Sequence, residues 1–225
     1  MLKIQLFFLF WLTLNGLMAQ ESVNRFKEKT IGVYVSKKNL KIAPSMYQLM
    51  GSFIRYQDTV GLSEENLQLG LSIKLGEFLT NIITQELKAD STYFINAVPN
   101  LGGRFIKAYG SGKLSFTGLN LPPSTDYVLV VESAYFFSEQ KKSVATYSKH
   151  MFTQKRTIKK ADVYLRLFNV QSGKLTGETI VAFDDENSRS ENQLWDWSKF
   201  PTAGEQFTAK VFNLSLFLLF ATLND

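Results

Sequence analysis

Residues 161–183, "ADVYLRLFNVQSGKLTGETIVAF", constrain the fold more than any other stretch. Val163, Leu165 and Leu167 alternate with Tyr164, Arg166 and Phe168, the two-residue period of a strand with one buried face. Gln171, Ser172, Gly173 and Lys174 supply turn chemistry, and Thr179, Val181 and Phe183 continue the alternation on the way out. This pattern predicts a long β-hairpin whose apolar face has to be covered. No residue in it is equipped for chemistry, so the framework itself becomes a candidate for the functional part.

The cover comes from helical patterns elsewhere. Leu71, Leu75, Phe78, Leu79, Ile82, Ile83 and Leu87 form one stripe, with Ser63 placed to cap the helix and Glu64 and Glu65 at its positive end. Met46, Leu49, Met50, Phe53 and Ile54 predict a shorter helix after Pro44 and Ser45. The last stretch, "FTAKVFNLSLFLLFATLND", holds ten apolar residues between Val211 and Leu223. At about 2 kcal/mol each, exposing most of them would cost more than a domain's usual net stability, so this helix must be buried or meet a partner. Thirteen residues are too few to span a bilayer.

Three further segments read as strands or their neighbours. "KTIGVYVS" sets Ile31, Val33 and Val35 against Gly32, Tyr34 and Ser36, and "STYFINAV" has strand composition. "TDYVLVVESAYFF" is a nearly continuous apolar run, as expected of a central strand buried on both faces. "NLGGRFIKAY" reads as a short helix weakened by two glycines. The expected class is α/β: a three-layer sandwich with a mixed β-sheet flanked by helices, a long β-hairpin and a buried carboxy-terminal helix.

The amino terminus, "MLKIQLFFLFWLTLNGLMAQES", has a basic start, an apolar stretch from Ile4 to Leu14, and Asn15-Gly16 before Ala19. That layout predicts a secretory signal peptide over residues 1–19. Leu17 is bulkier than the residue usually found two positions earlier, which leaves an uncleaved anchor as the alternative. Residues 20–28 are expected to be a flexible leader and residues 29–225 a single domain. The chain has no cysteine, so a lipid-bearing cysteine and disulfides are both excluded, and core burial alone must hold the domain together. Only Lys3 of the 25 basic residues lies before residue 20, leaving a net charge of +4, too small to imply a nucleic-acid partner.

Catalytic and metal motifs are few. His150 is the one histidine, thiolate ligands are absent, and no Gly-x-Ser-x-Gly elbow occurs. "GSGKLS" departs from a phosphate-binding loop at Lys107 and at Leu114. Asp184, Asp185 and Glu186 lack the spacing of a calcium loop. Glu132, within the apolar run, needs a cationic partner if buried. No catalytic residue, metal or cofactor is assigned. The candidate binding residues are basic, Lys141, Lys142, Lys149, Lys155, Arg156, Lys159 and Lys160, with Trp195 and Trp197 as a candidate aromatic interface. The basic segment reads either as a contact for an anionic or acidic partner or as lysines guarding a sheet edge.

Asp126-Tyr127-Val128-Leu129 entering the central strand, and Val163 to Val170 followed by Ser172-Gly173-Lys174, give the chain a resemblance to a bacterial envelope family. That family includes the curli secretion channel lipoprotein, the amino-terminal domain of the Tol-system propeller protein and the lipoprotein activators of peptidoglycan synthases. The resemblance spans roughly residues 29–185 and implies an α/β domain that binds other envelope proteins. It carries over no catalytic residue. The channel member's amphipathic hairpins correspond to residues 98–125 and 138–160, which read as too polar or too broken to form strands with a lipid face. The expectation is a non-enzymatic periplasmic or secreted domain with an envelope protein as partner, or copies of itself. The alternatives are a carboxylate-dependent hydrolase of cell-wall or polysaccharide material using Glu132 or Asp185, and a carrier of apolar ligands.

Overall fold

The structure, a computed structural model, describes residues 26–54, 64–86, 89–95, 121–147, 150–187 and 194–223. The signal segment, most of the leader, Ser63, Leu87, "NLGGRFIKAY", "GSGKLS" and Lys149 lie outside the described residues.

Six strands form one mixed sheet: β1 (Thr30–Val35), β2 (Leu40–Ile42), β3 (Ser91–Phe94), β4 (Tyr127–Tyr147), β5 (His150–Asn169) and β6 (Leu175–Asp184). The order is β3-β1-β4-β5-β6, with β2 joining β4 further along. β1 runs parallel to β3 and β4, and β2 parallel to β4, whereas β4, β5 and β6 are antiparallel. The helices are α1 (Tyr47–Ile54), α2 (Glu64–Glu86) and α3 (Ala203–Ala221). α2 packs on β1, β2 and β3, α3 packs on β5 and β6, and α1 touches both helices.

The predicted periods account for the core. Ile31, Val33 and Val35 of β1 join Val163, Leu165 and Leu167 of β5 beneath the α2 stripe and the apolar face of α3. In α2, Leu71, Leu75, Phe78, Leu79, Ile82 and Ile83 are all buried, and in α3 so are Val211, Phe212, Leu216, Leu219 and Phe220. α3 starts with a capping box, in which the Glu205 amide donates to Thr202 Oγ1 and the Thr202 amide donates to the Glu205 carboxylate, each at 3.1 Å. On the opposite face of the sheet lies a smaller apolar cluster of Tyr34, Ile95, Val128, Val130 and Phe168, against which Leu121, Val170 and Leu175 pack. The fold is therefore the expected mixed-sheet α/β sandwich, with the carboxy-terminal helix packed on the sheet.

Both resemblance motifs serve the framework. Asp126 accepts from the Thr30 amide at 2.9 Å and pairs with Lys29 at 3.5 Å, tying β1 to the start of β4. In the β5–β6 turn Asn169 Oδ1 accepts from the Ser172 amide at 2.9 Å, and Gly173 takes φ 65°, which a glycine adopts without strain.

The structure departs from the sequence reading or adds to it at four places. Phe26, within the stretch expected to be a leader, is buried against Tyr127 and Phe220 and belongs to the core. β2, a three-residue strand with Leu40 buried, has too short a pattern to be read from sequence. β4 is buried on both faces only through Val128–Val131. A β-bulge between Val131 and Ser133 makes Glu132 an extra residue, which shifts the period by one. Leu129 and Val131 face the helices before the bulge, and Ala134 and Phe136 do so after it, which leaves Tyr135 39% exposed.

The fourth concerns the segment 138–160, read from its polarity as unsuited to strands with a lipid face: residues 138–147 belong to β4 and residues 150–160 to β5. β4 and β5 stay paired from Ser138↔Lys159 to Tyr147↔His150, ten pairs beyond the last residues at which β2 or β6 joins them. At about 3.4 Å per residue this arm is roughly 30 Å long. The segment contains neither glycine nor proline and includes Val144, Thr146, Tyr147, Phe152, Thr153, Thr157 and Ile158, all strand-favouring types. Strand propensity and cross-strand pairing are enough to form a two-stranded ribbon, so its polarity is no obstacle.

Candidate binding surface

The register divides the basic residues between two faces of the arm. Phe136 and Ala161 are opposite each other in the helix-side core, and faces alternate along each strand. Lys142, Lys155 and Lys159 therefore continue the helix-side face, while Lys141, Arg156 and Lys160 lie on the other.

That second face is neutralised by carboxylates of the chain itself. Glu186 takes Arg156 at 2.9 Å and Lys141 at 3.3 Å, and Lys160 pairs with Glu139 at 2.6 Å, with Asp184 at 3.9 Å. The Glu139 hydrogen bond raises the Lys160 pKa above its ordinary value, against a lowering by burial. Burial alone would raise the Asp184 carboxyl, but the amides of Glu186 and Asn187 and the Asn187 side chain bring it below its ordinary value.

On the helix-side face Lys142 stands directly opposite Lys155, both exposed, and neither has an acidic partner among the described residues. Like charges in opposed positions destabilise a strand pair. His150 begins β5 opposite Tyr147 near the end of the arm.

A second surface lies on the sheet face away from the helices. Tyr135 and Phe137 stack with ring centroids 4.9 Å apart, and Ile180 on β6 is 78% exposed. Beside them Arg166 donates to Glu132 at 2.9 Å, lies over the Phe168 ring at 4.8 Å and sits 3.9 Å from Glu178, while the Tyr164 hydroxyl donates to Glu178 at 2.6 Å. Burial, then the Glu178 hydrogen bond, pushes Tyr164 up to about 12. A folded-state value above that of the unfolded chain contributes stability that is complete below about pH 10 and is lost as pH rises through about 12. Burial also raises Tyr34, so absorbance titration at 295 nm is expected to show Tyr164 and Tyr34 titrating late, with the Tyr164 step shifted back towards 10 in Glu178→Gln; a Tyr164→Phe protein whose late amplitude is undiminished would refute the assignment.

The remaining candidates separate. Trp195 is a core residue, 3% exposed, with its backbone carbonyl accepting from Asn213 of α3 at 2.9 Å, so it presents no interface. Trp197 is half-buried beneath Lys210, whose Nζ lies 4.2 Å from the ring centroid and pairs with Asp185 at 2.8 Å. Glu132 and Asp185 are thus committed to different cations, Arg166 on β5 and Lys210 on α3. Asp184, Asp185 and Glu186 likewise turn to three separate partners, and no group of three metal-ligating side chains occurs among the described residues. No helix among them is long and apolar enough to cross a membrane.

The alternation of Tyr135, Phe137, Tyr164 and Ile180 could have signalled the open face in the sequence, but only with the position of the bulge known.

No family model and no curated protein matches the chain. Among solved structures it is similar to a homolog of neuraminyllactose-binding hemagglutinin from Helicobacter pylori, at 10% identity and a TM-score of 0.36, covering 86% of this chain and 82% of that one. It is also similar to the hypothetical protein CT253 from Chlamydia trachomatis, at 15% identity and a TM-score of 0.35, covering 86% and 91%. Likeness at this level bears on neither ligand nor partner.

Proposed function

We propose that this chain is an exported, non-enzymatic binding protein of the bacterial envelope that acts by contact with another protein. The observation that carries the reading is the arm: ten strand pairs that support no other part of the described sheet. Ordering them costs conformational entropy, an expense that contact with a partner would offset. The resemblance to envelope adaptor domains supports the same reading, as does the export signal expected of residues 1–19.

The test is photo-crosslinking in the native cells, with a photoreactive residue at Thr157 on the arm and at Lys38 as a control away from it. A discrete protein adduct is expected from position 157 and none from 38. A shortened protein, with residues 140–157 replaced by Asn-Gly, should stay folded because β4 and β5 keep their sheet partners. It should also fail to compete for the adduct when added in excess. Adducts that are the same from both positions, or full competition by the shortened protein, would refute the reading.

A further inference from the structure

We infer that the outer edge of β5 in the arm takes an acidic, extended polypeptide segment as an added strand, in line with β6. The inference rests on the protein-contact reading above and names the partner's chemistry and where it binds.

The backbone supplies the first observation. In an antiparallel ladder both polar groups of a residue point to the same side, and every second residue repeats that direction. The Asp185 amide donates to the Lys159 carbonyl at 3.0 Å, so Lys159 faces the β6 side. The ladder has no irregularity from there outward. Thr157 and Lys155 therefore present the next amides and carbonyls along that edge, and β6 has ended by then.

Charge supplies the second. Residues facing the edge with their backbone are the same ones whose side chains share a face with Lys142: Lys155, Thr157 and Lys159. On an added strand, each residue hydrogen-bonded to Lys155 or Thr157 would place its own side chain on that face, and a carboxylate there would lie beside Lys155 and relieve its opposition to Lys142. The chain shows the same chemistry on the other face, where Glu186, just past the end of β6, bridges Lys141 and Arg156. Lysines along an edge that no described strand covers discourage pairing with further basic strands, including a second copy of this arm, and admit an acidic one.

The probe is a fluorescein-labelled ten-residue peptide of alternating glutamate and threonine, followed by fluorescence anisotropy with the full protein. Because the glutamates share their parity with the amides that face β5, N-methylation of the glutamates should weaken binding by about tenfold or more, while N-methylation of the threonines should leave it nearly unchanged. The double variant Lys142→Glu with Lys155→Glu keeps a like-charged pair and hence the same folding penalty, which thermal melting checks. It should lose the glutamate peptide and bind the corresponding lysine peptide.

Absence of peptide binding, equal binding of both methylated peptides, or binding unchanged in the double variant would each overturn the inference. So would equally tight, Lys142- and Lys155-dependent binding of phosphatidylglycerol vesicles, which would make the site a general polyanion surface. If the peptide does not bind but the adduct at position 157 forms and the shortened protein fails to compete for it, strand addition falls and the protein-contact reading stands. If the shortened protein competes fully, both fall.

Discussion

Deleting Glu132 is expected to leave cooperative folding intact, at about the cost of replacing it with alanine. With the bulge residue gone, the pairs Val131↔Leu165 and Ser133↔Tyr164 become consecutive, so every later side chain of β4 keeps its partner and its face. Ala134 and Phe136, both fully buried, stay in the helix-side core, and Tyr135 stays outside it. What either change removes is the ion pair with Arg166. Arg166 would retain Glu178 at 3.9 Å and some solvent, so the cost is expected near the lower end for a broken buried pair, about 3 kcal/mol, against a net stability of about 5–15 kcal/mol for a whole domain. Urea denaturation followed by near-ultraviolet circular dichroism compares the two proteins. A deletion protein that has lost its cooperative transition while Glu132→Ala keeps it would show that β4 depends on the bulge itself.

Gly204→Ala and Gly51→Ala are expected to change stability in opposite directions, although the glycines lie in two helices that pack against each other, α3 and α1. A methyl group at 204 would sit 2.4 Å from the Leu49 carbonyl oxygen and 2.8 Å from the Phe53 nitrogen. Both are backbone atoms of α1, so relief requires the helices to part. The Gly204 amide also donates to Ser52 Oγ at 3.2 Å across that contact. A cost of about 2 kcal/mol follows, lowering Tm by about 4–8 °C for a chain of this size. At Gly51 an added methyl meets nothing within 4 Å, so alanine's better helix propensity should act alone and stabilise by about 0.5–1 kcal/mol. Differential scanning calorimetry of the two variants checks the pair. A Gly204→Ala protein as stable as the parent would mean that α1 and α3 are not held this close.

The candidate site was less legible than the fold. The basic segment could be found from composition, but its division into a neutralised face and an unneutralised one depends on a strand register that composition does not contain. Trp195 and Trp197 look equivalent in sequence, yet one packs in the core with α3 and the other lies under Lys210, because the chain bends at Trp195 before the short helical turn that opens at Trp197. Glu132 was recognisable as a carboxylate in need of a cation, and Arg166 stands in the predicted hairpin, but no spacing in the chain links the two.

What the sequence by itself determined is the set of elements whose periods are local: β1, the α2 stripe, the β5–β6 hairpin with its glycine turn, and a carboxy-terminal helix too apolar to remain exposed. Periodicity reports which face of an element is apolar, and that is enough to predict a mixed sheet covered by helices. Only the tertiary structure decided the phase change at Glu132, the close approach at Gly204 and the continuation of β4 and β5 into a polar arm. Each of these depends on which residues stand opposite one another across strands or helices. Residues far apart in the chain determine that pairing, so no window along a single segment contains it.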